Sequence, residues 1–161
     1  MPNNIVKVRI TEQAFDPALE LSAFGAGRQD TGALANFVGY CRDMTAGRRV
    51  GELTIEQYPG FTEREITRLA NQVSRELGTL DLMVVHRVGA IRPGEAIVLV
   101  AALAAHRNAA FEAVRLLMDY LKTDAPLWKK ESGPDGVRWI EPSAHDHARR
   151  DQAKEKSGEK V

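Results

Sequence analysis

Ala96-Ile-Val-Leu-Val-Ala-Ala-Leu-Ala-Ala105, followed at once by His106-Arg107-Asn-Ala-Ala-Phe-Glu-Ala-Val-Arg-Leu-Leu-Met-Asp-Tyr-Leu-Lys-Thr123, is the stretch that decides the fold. The first segment is apolar at both parities, the pattern of a strand buried on both faces, and so belongs in the middle of a sheet. In the second, Phe111, Val114, Leu117, Met118 and Leu121 fall on one helical stripe, which predicts a helix over 107–123. Pro126 forbids its continuation. Beyond it, Leu127 to Glu131 and Val137 to Glu141 flank Gly133-Pro-Asp-Gly136, a strong turn signal that predicts a hairpin. A buried strand, a long helix and then a hairpin favour an antiparallel or mixed sheet, so the class is α+β.

Upstream the same reading continues. Ile5 to Ile10 alternates imperfectly and predicts an N-terminal strand. Asp16-Pro17 opens a short helix with Asp16 as N-cap, apolar at Leu19, Leu21 and Phe24, and ended by Gly25 and Gly27. Gly32 to Arg42, apolar on both faces, reads as a central strand, and Asp43 to Gly47 as a polar loop. Gly51 to Tyr58 reads as a strand with one wetter face. Phe61 to Leu77 is an amphipathic helix with a capping box at Thr62 and Glu65 and a stop at Gly78. Leu80 to Val88 is a further strand, joined to the apolar one by Gly89–Gly94.

The chain has 161 residues, enough for one domain with a tail. The expected division is a single domain over 1–141 and a polar segment over 142–161. From about Ser143 that segment reads as a solvated helix or a loose tail, its last ten residues disordered. Over the whole chain 22 basic residues balance 22 acidic ones, which argues against gripping nucleic acid as the main task. Cys41 is the single cysteine, so neither an internal disulfide nor a cysteine-rich zinc site is expected. With no signal-peptide pattern at the N-terminus and no apolar run of about 20 residues, a cytoplasmic protein without membrane association is expected.

Three places could carry chemistry. His106 and Arg107 stand where a helix begins, and free N–H groups and the helix dipole favour an anion there. The alternative is that His106 only caps the helix while Arg107 pairs on the surface, and position alone leaves both open. Lys122, in the last turn of that helix, faces the strand carrying Lys129 and Lys130 across the sharp bend at Pro126. Alternation puts Lys129 and Glu131 on one strand face, Trp128 and Lys130 on the other. A lysine near other cations and partly desolvated loses basicity, as nucleophilic or proton-shuttling work requires; Glu131 could orient it. Arg42 ends its strand before a loop, a common location for a binding residue. Cys41 reads as a small buried hydrophobe, and His86-Arg87 as structural or interfacial. Nucleotide loops and zinc signatures are absent, so no metal or cofactor is expected.

Several blocks taken together are more specific than any of these. Phe37-Val-Gly-Tyr-Cys-Arg42, Leu53-Thr-Ile-Glu-Gln-Tyr-Pro-Gly60, Val85-His-Arg-Val-Gly89 with Pro93-Gly-Glu95, Ala105-His-Arg107, and Met118-Asp-Tyr-Leu-Lys-Thr-Asp-Ala-Pro-Leu-Trp-Lys-Lys-Glu131 occur in order. In this combination the chain resembles the catalytic (large) subunit family of molybdopterin synthase over about Gly32 to Glu141. The resemblance implies an α/β hammerhead fold with an added antiparallel β subdomain. It implies a sulfurtransferase of molybdenum cofactor biosynthesis, making the dithiolene of molybdopterin from cyclic pyranopterin monophosphate (precursor Z). The sulfur would come from a small ubiquitin-like sulfur-carrier subunit with a C-terminal Gly-Gly thiocarboxylate, and two large subunits would form the central homodimer of a heterotetramer.

Carried over residue by residue, the resemblance makes Lys122 and Lys129 the catalytic lysines. Arg42, His106 and Arg107 match residues of the pterin and phosphate pocket, and Phe37, Met118 and Glu131 match positions lining or supporting it. Beyond Glu141 the resemblance fades. Two rival readings remain open on the sequence: a module that captures a ubiquitin-like tail without chemistry, and a phosphate-binding enzyme of unrelated reaction. Neither a nucleotide loop nor a carboxylate metal cluster supports phosphoryl transfer.

Overall fold

The structure, a computed structural model, describes residues 4–141 and 144–156. In chain order the elements are β1 (Ile5–Thr11), α1 (Pro17–Ala23), β2 (Ala33–Tyr40), β3 (Met44–Thr45), β4 (Arg48–Arg49), β5 (Glu52–Gln57) and α2 (Phe61–Leu77). They continue with β6 (Asp81–Arg87), β7 (Gly89–Ile91), β8 (Ala96–Ala104), α3 (Arg107–Thr123), β9 (Leu127–Gly133), β10 (Gly136–Ile140) and α4 (Ala144–Lys156). This is the expected α+β class.

One sheet has the order β1-β6-β8-β2, with β1 parallel to β6 and the other pairs antiparallel. The apolar strand β8 is interior, as its two-sided burial requires. One face of the sheet is covered by α2 and α3, whose Ile66, Leu69, Val73, Val114 and Leu117 form the main core with Leu82, Val84 and Val100. Each such side chain removed from water contributes roughly 1.5–3 kcal/mol. The other face carries Met83, Val85 and Leu99 against Phe15, Leu21 and Phe24. A second, wholly antiparallel sheet has the order β10-β9-β5-β7. It is the added β subdomain, and Leu53, Ile55, Val88 and Ile91 of its small core meet Ile10 and Ile97 of the first sheet.

Four local expectations change. The strand read as central, β2, pairs among the described residues with β8 alone and is an edge strand with Leu34 and Phe37 exposed. Its Ala33 and Ala35 pack against the main core and Val38 against the cluster on the other face, while Leu34 and Phe37 stay open to solvent. The polar loop 43–47 is largely a small β3–β4 hairpin. There Ala46 (φ 49°) and Gly47 (φ 78°) supply the two left-handed residues that a two-residue hairpin turn needs. Phe111, assigned to the buried stripe of α3, is exposed, and the small residues Ala110 and Ala113 face the sheet instead. The capping box of α2 does not form. Gly60 is the N-cap, and the Thr62 hydroxyl is fully buried, accepting from the Tyr58 N–H and donating to the Pro126 carbonyl oxygen, each at 2.9 Å. The polar end of the chain is helical through Lys156 and lies against α3, where Arg150 pairs with Asp124 at 2.9 Å. The rest of the expected loose tail, residues 157–161, lies outside the described residues.

Candidate active site

The C-terminus of α3 is closed by the Asp124 N–H donating to the Tyr120 carbonyl oxygen at 2.7 Å, and a tight turn through Ala125 and Pro126 sends the chain back as β9. The two lysines flanking this bend, Lys122 and Lys129, therefore stand on adjacent walls. Between α3, β9 and the end of β2 lies a cleft of about 430 Å³. Phe37 and Tyr40 come from β2, Arg42 follows that strand, Met118 and Lys122 come from α3, and Lys129 from β9.

A second cleft, of about 370 Å³, is lined by the same two lysines. Pro126, Trp128, Ile140 and Glu141 contribute to its walls, and Asp146 reaches it from α4. Lys122 and Lys129 line both clefts, so the two share one cationic centre.

Burial, and then the positive charge of Lys122, lower the pKa of the half-buried Lys129; the charge of Asp146 works weakly the other way. A less basic amine can give or take a proton near neutral pH more readily than a free lysine. Beside it stands a group that the sequence reading set aside. His86, on β6, lines the first cleft and is 3% exposed. Its Nδ1 lies 2.8 Å from the Arg87 carbonyl oxygen, which can only accept, so Nδ1 carries the hydrogen and Nε2 is left with its lone pair. Burial, and then the charge of Lys129, push the His86 pKa down to about 4, so the ring is neutral at pH 7. Cys41 packs in the small core, and its thiol is raised by burial and by the carboxylates of Glu131 and Glu95. It stays protonated, a structural residue.

The structure brings Phe37, Arg42, Met118, Lys122 and Lys129 around one cleft. Glu131 shares the strand face of Lys129, yet its carboxylate is bonded to Thr45 (2.9 Å) and Arg138 (3.0 Å) and does not line the cleft. Lys130 points to the opposite face, its ammonium 5.5 Å from the ring centre of Trp139. His106 and Arg107 are exposed at the other end of α3. At 1.5 Å per residue they lie about 24 Å from Lys122 and cannot reach the lysines of their own chain.

The sequence matches the family described as MoaE protein over residues 10–124. The chain belongs to the MoaE family. Among its MoaE relatives, the molybdopterin synthase catalytic subunit of Caulobacter vibrioides is 54% identical over 139 residues, covering 86% of this chain and 91% of that protein. The molybdopterin synthase catalytic subunit of Pseudomonas aeruginosa is 45% identical over 141 residues, 88% of this chain and 94% of that one. Among solved structures, the MoaE protein of Burkholderia ambifaria superposes with a TM-score of 0.77 at 41% identity, over 92% of this chain and 98% of that one. The molybdopterin synthase of Staphylococcus aureus gives 0.74 at 26% identity, over 82% and 95%.

Against this MoaE fold, the lysine pair and Arg42 were accessible to sequence reasoning because they sit at element ends. His86 was not, since a histidine inside a buried strand reads as core. Its one signal was its place next to the strand end, three residues before the turn glycine Gly89. The contribution of Asp146 was also missed, because α4 lies outside the region that carried the resemblance.

Proposed function

We propose that this chain is the catalytic subunit of a molybdopterin synthase, a sulfurtransferase of molybdenum cofactor biosynthesis. It transfers sulfur from the C-terminal thiocarboxylate of a small ubiquitin-like subunit to cyclic pyranopterin monophosphate. The observation that carries this reading is the pair of clefts meeting at Lys122 and Lys129. Two reactants, an extended protein tail and a compact pterin, can each occupy one cleft and meet at one cationic centre. Their meeting point needs positive charge, because the thiocarboxylate and the cyclic phosphate diester each bring a negative charge. Lys122 and Lys129 polarise the thiocarboxylate and stabilise charge on its oxygen as the sulfur is transferred. Arg42 holds the phosphate, Phe37 and Met118 flank the pterin, and Glu131 supports the wall.

His106 and Arg107 enter the same reading through a second copy of the chain. In a homodimer of large subunits the start of α3 from one copy serves the phosphate end of the other copy's cleft. Two small subunits then complete a heterotetramer, working in the cytoplasm; no helix among the described residues is long and apolar enough to cross a membrane. The direct test mixes the protein with thiocarboxylated small subunit and precursor Z and assays molybdopterin. Product formation supports the reading. Tail binding without product would make the chain a capture module, and neither binding nor product would leave it an enzyme of another reaction.

A further inference from the structure

The segment that follows Arg42 is fastened to the second sheet by a polar network outside the cleft. Thr45 Oγ1 donates to Glu131 Oε1 at 2.9 Å, and Glu131 Oε2 accepts from Arg138 Nη2 at 3.0 Å. The same Nη2 donates to the Thr45 carbonyl oxygen at 3.3 Å, which closes the network on the hairpin backbone. At the base of the hairpin the Val50 N–H donates to the Asp43 carbonyl oxygen and the Gly51 N–H to that of Ser132, both at 2.8 Å. The packing at this crossing is close: a Cβ on Gly133 would stand 2.2 Å from the Arg49 carbonyl oxygen. On the other side of Arg42, the Cys41 N–H donates to the Glu95 carbonyl oxygen at 3.0 Å, and the Cys41 carbonyl oxygen accepts from the Gly94 N–H at 2.8 Å.

Arg42 is thus a short free span between two fastened points. Its guanidinium makes no hydrogen bond or ion pair with the protein among the described residues, so only the backbone aims it into the cleft. We propose that Thr45 and Arg138, acting through Glu131, are positioning residues that hold Arg42 in its substrate-facing place. This assigns work to a carboxylate that points away from the substrate cleft, and it rests on reading Arg42 as the phosphate-holding residue. A bond network of this kind limits how far the β3–β4 hairpin can swing, and with it the arc through which the guanidinium can wander.

The test measures KM for the phosphate-bearing pterin and kcat in the complex with excess thiocarboxylated small subunit. Arg42→Ala, Arg138→Ala, Arg138→Lys, Thr45→Val and the Arg42→Ala/Arg138→Ala double variant are compared. Arg138→Ala is expected to raise KM on the order of tenfold with kcat within about twofold, the pattern of lost binding rather than lost chemistry. Arg138→Lys recovers part of the loss, and Thr45→Val shows a smaller change in the same direction even if Arg138→Ala folds poorly. The double variant is no worse than Arg42→Ala, because a residue acting through another adds nothing once that other is gone. Multiplying effects in the double variant, or an unchanged KM for both Arg138→Ala and Thr45→Val beside a raised KM for Arg42→Ala, overturns the positioning role alone. An unchanged KM for Arg42→Ala overturns the reading of the cleft, and the positioning role with it.

Discussion

The hydroxyl of Thr62, at the start of α2, donates to the carbonyl oxygen of Pro126, in the bend between α3 and β9, at 2.9 Å. One buried side chain thus ties the first turn of a distant helix to the connection that sets Lys129 opposite Lys122. Thr62→Val removes both bonds and deprives the part-buried Tyr58 N–H and Pro126 carbonyl oxygen of this partner. The expected loss is about 2–4 kcal/mol of unfolding free energy, read from the denaturant midpoint at unchanged slope. A loss under about 0.5 kcal/mol would mean that water replaces the hydroxyl at no cost.

Lys122→Ala should leave the complex with the small subunit assembled and abolish molybdopterin formation. Retention of both sizing behaviour and activity would remove Lys122 from the chemistry.

The basicity of Lys129 offers a second handle on the pair. Lys122→Met deletes the second-largest cause of its lowered pKa and leaves the larger one, burial. The Lys129 titration, followed by NMR on ¹³C-methylated lysines, should move upward and still fall short of the value for a free lysine. A downward shift would mean that the two ammonium groups do not feel each other.

His86 makes stability depend on pH. The unfolded chain binds a proton at this imidazole as the pH falls through about 6.5, whereas the folded one resists until about 4. The unfolded state therefore holds more protons in that window, and stability present above pH 6.5 drains away toward pH 4. The linked amount is on the order of 3 kcal/mol. Comparing wild type with His86→Phe across this range isolates it: the wild type should lose more stability on acidification than the variant. Parallel curves would place the titrating groups elsewhere.

In the proposed homodimer, separation of the two ends of α3 makes complementation possible. Lys122→Ala and Arg107→Ala are each expected to be inactive. Co-refolded in equal amounts, they should regain about a quarter of the sites, because half of the randomly paired dimers carry one intact composite site. No recovery in verified mixed dimers would confine each site to one chain.

Much of this architecture could be read before any coordinates. β8 was legible because ten consecutive apolar side chains leave few alternatives, and α2 and α3 because their periodicity is strong. The sharp bend at Pro126 made the Lys122–Lys129 pairing visible too. What escaped depends on partners remote in sequence. β2 looks like a central strand until the absence of a neighbour beyond it is seen. Thr62 looks like a helix cap, since its real acceptor lies 64 residues away. The same holds for Glu131, whose strand face follows from parity while its bonding to Thr45 and Arg138 requires the β3–β4 hairpin to exist. The alanines of α3 that displace Phe111 from the core reflect how closely this helix approaches the sheet, a distance that no periodicity encodes.

The arrangement of the two clefts has a kinetic consequence. If donor and acceptor each have their own doorway, neither must depart before the other arrives. Turnover then runs through a state in which both are seated together, and initial-rate lines at varied concentrations of the two should intersect rather than run parallel. The spent tail can also be exchanged for a fresh one while a half-sulfurated pterin stays where it is. An enzyme that must add sulfur twice to one molecule would gain from such an arrangement, because its intermediate need never be released to water.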